Sequence, residues 1–427
     1  MPVESRLVSS GIPVVTLIRP FAGLRPARGR AADVAAPPYD VLTTQEARER
    51  AKGKRWSFLH ISKPEIDLPP GTDPYSPSVY AKGAENLRDM IKNEVLVRDE
   101  QPFLYVYRLA VGDVVQTGVV AAASLADYES NRIRKHELTR PDKEDDRVRQ
   151  IDALNAQTGP VLLAYPDTAQ VDEIFAVCAG ATPDSDVTAD DGVRHSIWVM
   201  RDAGMIERLV KLFDAMPALY IADGHHRSAA ASRVAAARRE ANPANTGDED
   251  YNYFLVVAFP QHEMNILGYN RAVRDLKGMN SQQFLARVAE RFEVRPSSDP
   301  VAPASTGCFG LYLDGTWYEL MIRSEYVRED DPIARLDVSI LADNLLGPVL
   351  GVTDPRRDKR IEFIGGIRGL SELERIVNSG EMACAFSMYP TSMSDLMAVA
   401  DANEVMPPKS TWFEPKLADG LVSLLLS

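Results

Sequence analysis

Short strand-like apolar runs alternate with stretches of helical apolar spacing along most of this chain. That alternation restricts the fold to sheets covered by helices. Phe103 to Ala110 and Val114 to Leu125 predict paired strands joined by a Gly112-Asp113 turn. Pro160 to Tyr165, the short run Leu219 to Ile221 and Tyr253 to Phe259 predict further strands. Val171 to Ala179, Ala203 to Met216 and the Ala-rich Ser228 to Ala241 predict helices. Beyond Tyr269, Phe309 to Leu313 and Thr316 to Ile322 flank Asp314-Gly315, a two-residue hairpin signal. Ser281 to Phe292, Leu336 to Leu346, Ser371 to Asn378 and Met393 to Ala402 read as helices. Apolar pieces at Ile361 to Ile364 and Ala383 to Met388 lie between them. The proline-rich stretch Pro64 to Pro77 reads as an extended connection. The expected fold class is α/β to α+β, with mixed sheets and helices. Breaks near residues 130 and 275 divide the chain into a loose leader (1–16), an N-terminal α+β part (17–130), a core (131–275) and a C-terminal α+β part (276–427).

Composition narrows the function classes. The 427 residues are 45% hydrophobic and 26% charged, as in an ordinary globular protein. Forty-eight basic residues against 61 acidic ones leave a net charge of −13, which disfavours nucleic acid as a partner. The three cysteines, Cys178, Cys308 and Cys384, are too sparse for a disulfide framework and suit a reducing cytoplasm. No run of 18 apolar residues predicts a membrane span.

The sharpest local signal is Ala222-Asp223-Gly224-His225-His226-Arg227, between a short apolar run and the Ala-rich helix. Gly224 permits a tight turn and close approach of a ligand, and the helix start presents N–H groups and a positive dipole end to a phosphate. Arg227 can clamp phosphate oxygens, His225 and His226 can donate to them or move protons, and Asp223 can hold a metal ion or orient a histidine. The bland alternative is a capped turn in which Asp223 and Arg227 form an ion pair. A second signal is Lys135 to Arg149, in which five acidic and five basic residues balance. It reads either as a solvated loop or as a site in which Glu137, beside His136, acts as a base. In that site Asp142, Glu144, Asp145 and Asp146 would offer hard oxygen ligands to Mg²⁺. A helix is expected from Arg147 to Asn155, followed by the turn Gln157-Thr158-Gly159-Pro160. Arg19-Pro20-Phe21 and Pro37-Pro38-Tyr39-Asp40 read as pinning loops, and Asp354 to Arg360 as a surface turn or a second anion site. The segment Pro407 to Lys416, with Trp412 and Phe413 adjacent, is expected to pack on the body. His60, His195 and His262 stand alone and read as structural. There is no P-loop, no G-x-G-x-x-G opening a βαβ unit and no G-x-S-x-G.

Taken together, Arg19-Pro20-Phe21, Pro37 to Asp40, Lys135 to Asp142, Ala222 to Arg227 and Met406 to Thr411 resemble a widespread prokaryotic family of unknown function, from about residue 17 to the end. His136-Glu137 followed by Asp223 to Arg227 also looks like the ParB/sulfiredoxin superfamily, and is most similar to its free-serine kinases. That resemblance implies a phosphotransferase using ADP or ATP with Mg²⁺, and L-serine as the first candidate acceptor. It implies Glu137 as general base beside His136, with Gly224, His225, His226 and Arg227 on phosphate and Asp223 on Mg²⁺ or a substrate amine. Asp145 and Asp146 are further metal candidates. The 86 positions from Glu137 to Asp223 require an insertion, placed at residues 160–216 of a ParB-like core. The competing readings are a phosphatase or nucleotide hydrolase, and a non-catalytic nucleotide- or metabolite-binding regulator.

Overall fold

The structure is a computed structural model that describes residues 16–426. The expected leader up to Val15 lies outside the described residues. Two compact units are present: the first takes the chain up to Ile133, Thr139–Glu263 and the segment from Pro415 on, and the second takes Arg134–Leu138 and Met264–Glu414.

The first unit is built on a nine-stranded mixed sheet. Its strands are β1 (Ile18–Arg19), β2 (Leu104–Val111), β3 (Val114–Ser124), β4 (Ile133–Arg134), β5 (Val161–Tyr165), β6 (Ser185–Thr188), β7 (Arg194–Met200), β8 (Leu219–Asp223) and β9 (Tyr253–Pro260). The order is β4-β8-β5-β9-β3-β2-β7-β6, with β1 added to β3. The expected hairpin is β2–β3, with Val111 opposite Val114. β9 is buried at all eight positions, because it lies between antiparallel β3 and parallel β5 with both faces covered.

Its main helices are α1 (Thr44–Ala51), α2 (Pro77–Lys92), α3 (Pro141–Leu154), α4 (Ala169–Ala179), α5 (Ala203–Asp214) and α6 (His225–Ala241). Prolines are not the breakers expected of them. Pro64 opens a 3₁₀ turn over Pro64–Asp67 rather than an extended link, and Pro77 and Pro141 each start a helix. Proline's missing N–H and fixed φ suit the first helical turn. Asp142 and Glu144 in the first turn of α3 favour its dipole as well. The helix expected from Arg147 therefore begins six residues earlier, and Asn155 in the left-handed conformation ends it. α3 packs on α6, whose buried face is Ala230, Ala231, Val234 and Ala235, small enough to let the two backbones approach.

The second unit holds a six-stranded antiparallel sheet: β10 (Tyr269–Val273), β11 (Phe292–Ser297), β12 (Cys308–Leu313), β13 (Thr316–Ile322), β14 (Ile361–Gly365) and β15 (Cys384–Met388), in the order β11-β13-β12-β15-β10-β14. Asp314 and Gly315 form the expected hairpin turn with φ of 47° and 77°. The helix expected to reach Phe292 stops at Val288, and Phe292 begins β11. Asp337–Leu341 is α-helical and passes into a π-turn, Ala342–Leu346. α7 (Ser281–Val288), α8 (Gly369–Asn378) and α9 (Met393–Asp401) complete this unit's main helices. Leu373 and Ile376 of α8 pack against Ala272, Tyr312, Trp317 and Ile364. Trp412 and Phe413 do pack on the body, pairing as a short strand with Ile266–Leu267.

Candidate functional site

The hexapeptide lies where the sequence places it. β8 ends at Asp223, Gly224 turns the chain with φ 98°, and α6 begins at His225. The first intrahelical bonds run from the N–H groups of Arg227 (2.9 Å) and Ser228 (3.1 Å) to Gly224 O. The positive end of the helix dipole therefore falls on this turn. A Cβ on residue 224 would lie 3.1 Å from Arg227 Nε and 3.3 Å from Val161 Cα, on a backbone that L-residues resist.

Arg227 folds back over the turn. Its Nη1 donates to Pro160 O, which fixes the guanidinium. Its Nη2 lies 3.9 Å from both Asp40 Oδ2 and Asp223 Oδ2. That distance is a charge contact and not a hydrogen bond, so the donor stays available to an anion. Lys416 Nζ lies 3.4 Å from the same Asp223 oxygen. Burial raises the Asp223 pKa, but Lys416, Arg227 and His225 hold it down to about 2. Burial opposes the charge on Arg227, and Asp40, Asp223, Tyr39 and Asp419 more than restore it, so Arg227 remains charged.

Two further segments of the same unit complete the cluster. Asp419 is fully buried and accepts from the Tyr39 N–H, while its backbone bridges Ala36 in both directions. Burial pushes its carboxyl up to about 7 despite the pull of Arg227. Arg147 of α3 stacks over the Tyr39 ring at 3.9 Å and pairs with Asp146 at 2.6 Å. Sequence reasoning took Pro37 to Asp40 for a pinning loop and did not single out Asp419. The local signal was charged and aromatic groups in segments without a long helix or strand; Tyr39–Val41 forms one 3₁₀ turn.

His225 is buried, and its carbonyl accepts from Ser228 Oγ at 3.0 Å. His226 Nε2 accepts the Arg140 N–H at 3.1 Å; burial lowers its pKa, so the ring is neutral and links the turn to the start of α3. Asp145 pairs with Arg233 at 2.8 Å, and Asp146 accepts from Tyr80 Oη at 2.9 Å besides Arg147. Among the described residues no group of three or more His, Cys, Asp or Glu side chains could hold a metal ion. Asp145, Asp146 and Asp223 are each bound to cations of the chain and do not fit a resident Mg²⁺. His136 and Glu137 belong to the second unit, His136 buried and Glu137 exposed. The Met406 N–H donates to His136 O at 2.8 Å, joining two of the sequence marks within that unit.

The lone histidines are held by neighbouring groups, His60 by Lys54 O at 3.2 Å as well as a carboxylate. His60 and His262 pair with Asp67 (2.7 Å) and Asp167 (2.8 Å). Burial pulls His195 down to about 4, and it accepts from the Tyr107 hydroxyl at 2.7 Å. Arg19 pairs with Asp250 at 2.7 Å and stacks on Tyr253, a tether. In the turn Asp354 to Arg360, arginines pair with the turn's own aspartates, Arg360 with Asp358 at 2.7 Å and Arg357 with Asp354 at 3.6 Å. Cys178, Cys308 and Cys384 are free thiols, and among the described residues no helix is long and apolar enough to cross a membrane.

Solved structures similar to this chain include a free serine kinase in complex with AMP, at 14% identity and a TM-score of 0.32, covering 71% of this chain and 92% of that one. A mutant of a free serine kinase in complex with ADP matches at 15% identity and the same TM-score and coverage. SbnI with a C-terminal truncation, from Staphylococcus aureus, matches at 13% identity and a TM-score of 0.33, covering 70% of this chain and 84% of that one. No curated protein matches the sequence significantly. Residues 18–339, most of the chain, match the model of the family described as protein of unknown function (DUF1015), and the chain belongs to that family.

Proposed function

We propose that this protein is a phosphotransferase that moves a phosphoryl group from ADP or ATP to the hydroxyl of a small molecule, with L-serine the first acceptor to try. The observation that carries the reading is the Gly224 turn at the start of α6, with Arg227 anchored on Pro160 O and its Nη2 3.9 Å from Asp40 and Asp223. A helix start and a buried guanidinium supply positioning and charge neutralisation, most of what phosphoryl transfer asks of a protein. In the reaction the acceptor oxygen bonds to the terminal phosphorus, the bond to the leaving nucleotide oxygen breaks, and the hydroxyl proton passes to a base. The sequence resemblance assigns that base to Glu137, with His136 beside it. The chain's own part in neutralising phosphate charge is Arg227, the turn and Lys416. A cytoplasmic location suits three free thiols.

Calorimetry with ADP and ATP, beside turnover with hydroxyl acceptors, tests the proposal. Arg227→Ala should weaken nucleotide binding by roughly 2 kcal/mol, about thirtyfold. Glu137→Gln should leave affinity unchanged and slow transfer by about 10²-fold. A wild-type protein that binds neither nucleotide ends the reading. Binding with Glu137→Gln turning over at the wild-type rate moves the base elsewhere.

A further inference from the structure

The second unit contains another buried arginine, and it lacks what surrounds Arg227. Arg271 on β10 is 4% exposed. Its Nη1 donates to Tyr269 O and its Nη2 to Lys409 O at 3.0 Å. The guanidinium carbon lies 4.7 Å from the centre of the Phe363 ring and 5.8 Å from that of Tyr269. Among the described residues no carboxylate pairs with it. Two carbonyls take two of its five donors, leaving three. Burial pulls its pKa down to about 9, and only Tyr269 opposes. At neutral pH it is still a cation, held in a nearly dry site without a counter-charge.

Lys409 brings a second cation. Its ammonium lies 5.6 Å from the centre of the same Tyr269 ring, the side chain is exposed, and no described carboxylate pairs with it. The loop that carries it is pinned: Ser410 Oγ donates to Pro407 O at 2.7 Å, and Thr391 Oγ1 donates to Ser410 O at 2.9 Å. Tyr269 packs edge-on against Trp412 and Phe363, and these last two rings are half-buried, so the aromatic cluster reaches the surface beside Lys409.

A buried charge without a partner is costly, and removing it for an apolar side chain costs a fold little. Such a group marks a place where local stability has been given up for a task. We propose that Arg271 and Lys409 form a binding site for the carboxylate of a small organic acid, walled by the rings of Tyr269 and Phe363. The planar guanidinium, with donors to spare, matches a planar carboxylate. Only Arg271 is buried, while Lys409 is exposed and its charge is screened by water, so the charge to be balanced inside the site is the single one of a carboxylate. This site lies wholly within the second unit and does not rest on the phosphate turn.

The test is calorimetry on the full chain with acetate, benzoate and inorganic phosphate at constant ionic strength, using wild type, Arg271→Met, Lys409→Ala and Arg227→Ala. Saturable carboxylate binding is expected, benzoate tighter than acetate because of the rings. It should weaken at least about tenfold in Arg271→Met and about threefold in Lys409→Ala, and stay unchanged in Arg227→Ala. Circular dichroism checks that each variant folds. If Arg271→Met does not, the exposed position decides, with Lys409→Glu abolishing binding and Lys409→Arg retaining it. Absence of saturable binding of either carboxylate overturns the proposal. So does phosphate binding more tightly than benzoate with dependence on Arg271, or carboxylate binding that only Arg227→Ala removes.

Discussion

Arg227 and Arg271 are both largely buried guanidinium groups, each anchored on a backbone carbonyl, and their surroundings are opposites. Three aspartates and a tyrosine surround Arg227 and keep it charged. Aromatic rings and carbonyls surround Arg271, and burial draws its pKa down. A buried cation inside a carboxylate cage is part of the framework as well as of the site, because removing it strands the carboxylates. A buried cation without carboxylates contributes little to the framework. The comparison therefore separates charge that the fold needs from charge that the fold tolerates.

The largest effect should come from breaking the caged member. Arg227→Met takes the nearest cation from Asp40 and buried Asp419 and leaves Asp223 with Lys416 alone, which should cost about 3 kcal/mol of stability, the low end of the range for breaking a buried pair because Asp40 and Asp223 are partly exposed. Arg271→Met should stay within about 1 kcal/mol of wild type, since an apolar side chain replaces a desolvated charge. Urea midpoints measure both. Equal losses at the two sites would remove the distinction.

Gly224→Ala sharpens the comparison from the backbone side. The positive φ alone should cost about 1–2 kcal/mol, and the new Cβ, 3.1 Å from Arg227 Nε, would displace the guanidinium. Nucleotide affinity should fall with stability, as Arg227→Ala predicts, while carboxylate binding at Arg271 stays at the wild-type level. An alanine variant that keeps full nucleotide affinity would show that the turn's geometry does not matter to binding.

The legibility of these features in the sequence follows how local their causes are. The Gly224 turn could be read because its determinants are adjacent: an apolar run, Asp-Gly and an Ala-rich stretch. Asp314-Gly315 is legible for the same reason. Helix starts at Pro77 and Pro141 were misjudged because proline terminates helices from inside and begins them from the first turn, and only the register decides which applies. Of the cage only the contact between Asp223 and Arg227, four positions apart, was legible. Asp40, Lys416 and Asp419 join it through tertiary packing, and nothing near Asp419 in the sequence announces that it will be buried beside an arginine. Arg271 was illegible for the opposite reason, since an arginine in a strand gives no sign that no carboxylate will be within reach.

The smallest expected effect lies in pH dependence, and it tests the cage most directly. Asp419, pushed up to about 7 by burial, still holds its proton at a pH where an unfolded aspartate, with a pKa of about 4, has released it. The folded state then binds more protons than the unfolded state, so this group's contribution to stability is fullest below about pH 4 and is lost as pH rises through 7. Asp223 has the reverse sign: held at about 2, it stabilises above about pH 4 and loses that contribution as pH falls toward 2. Asp419→Asn keeps an oxygen to accept from the Tyr39 N–H but cannot ionise. Its melting temperature should therefore decline less than that of wild type between pH 4 and 7, while the two profiles run parallel below pH 4, where Asp223 dominates in both. Superimposed profiles from pH 4 to 7 would mean that Asp419 ionises in the folded chain as it does in the unfolded one, and that the carboxylates around Arg227 do not crowd one another. A shallower decline in the variant would show that burial keeps the Asp419 carboxyl protonated in the folded chain to near pH 7, against the pull of Arg227.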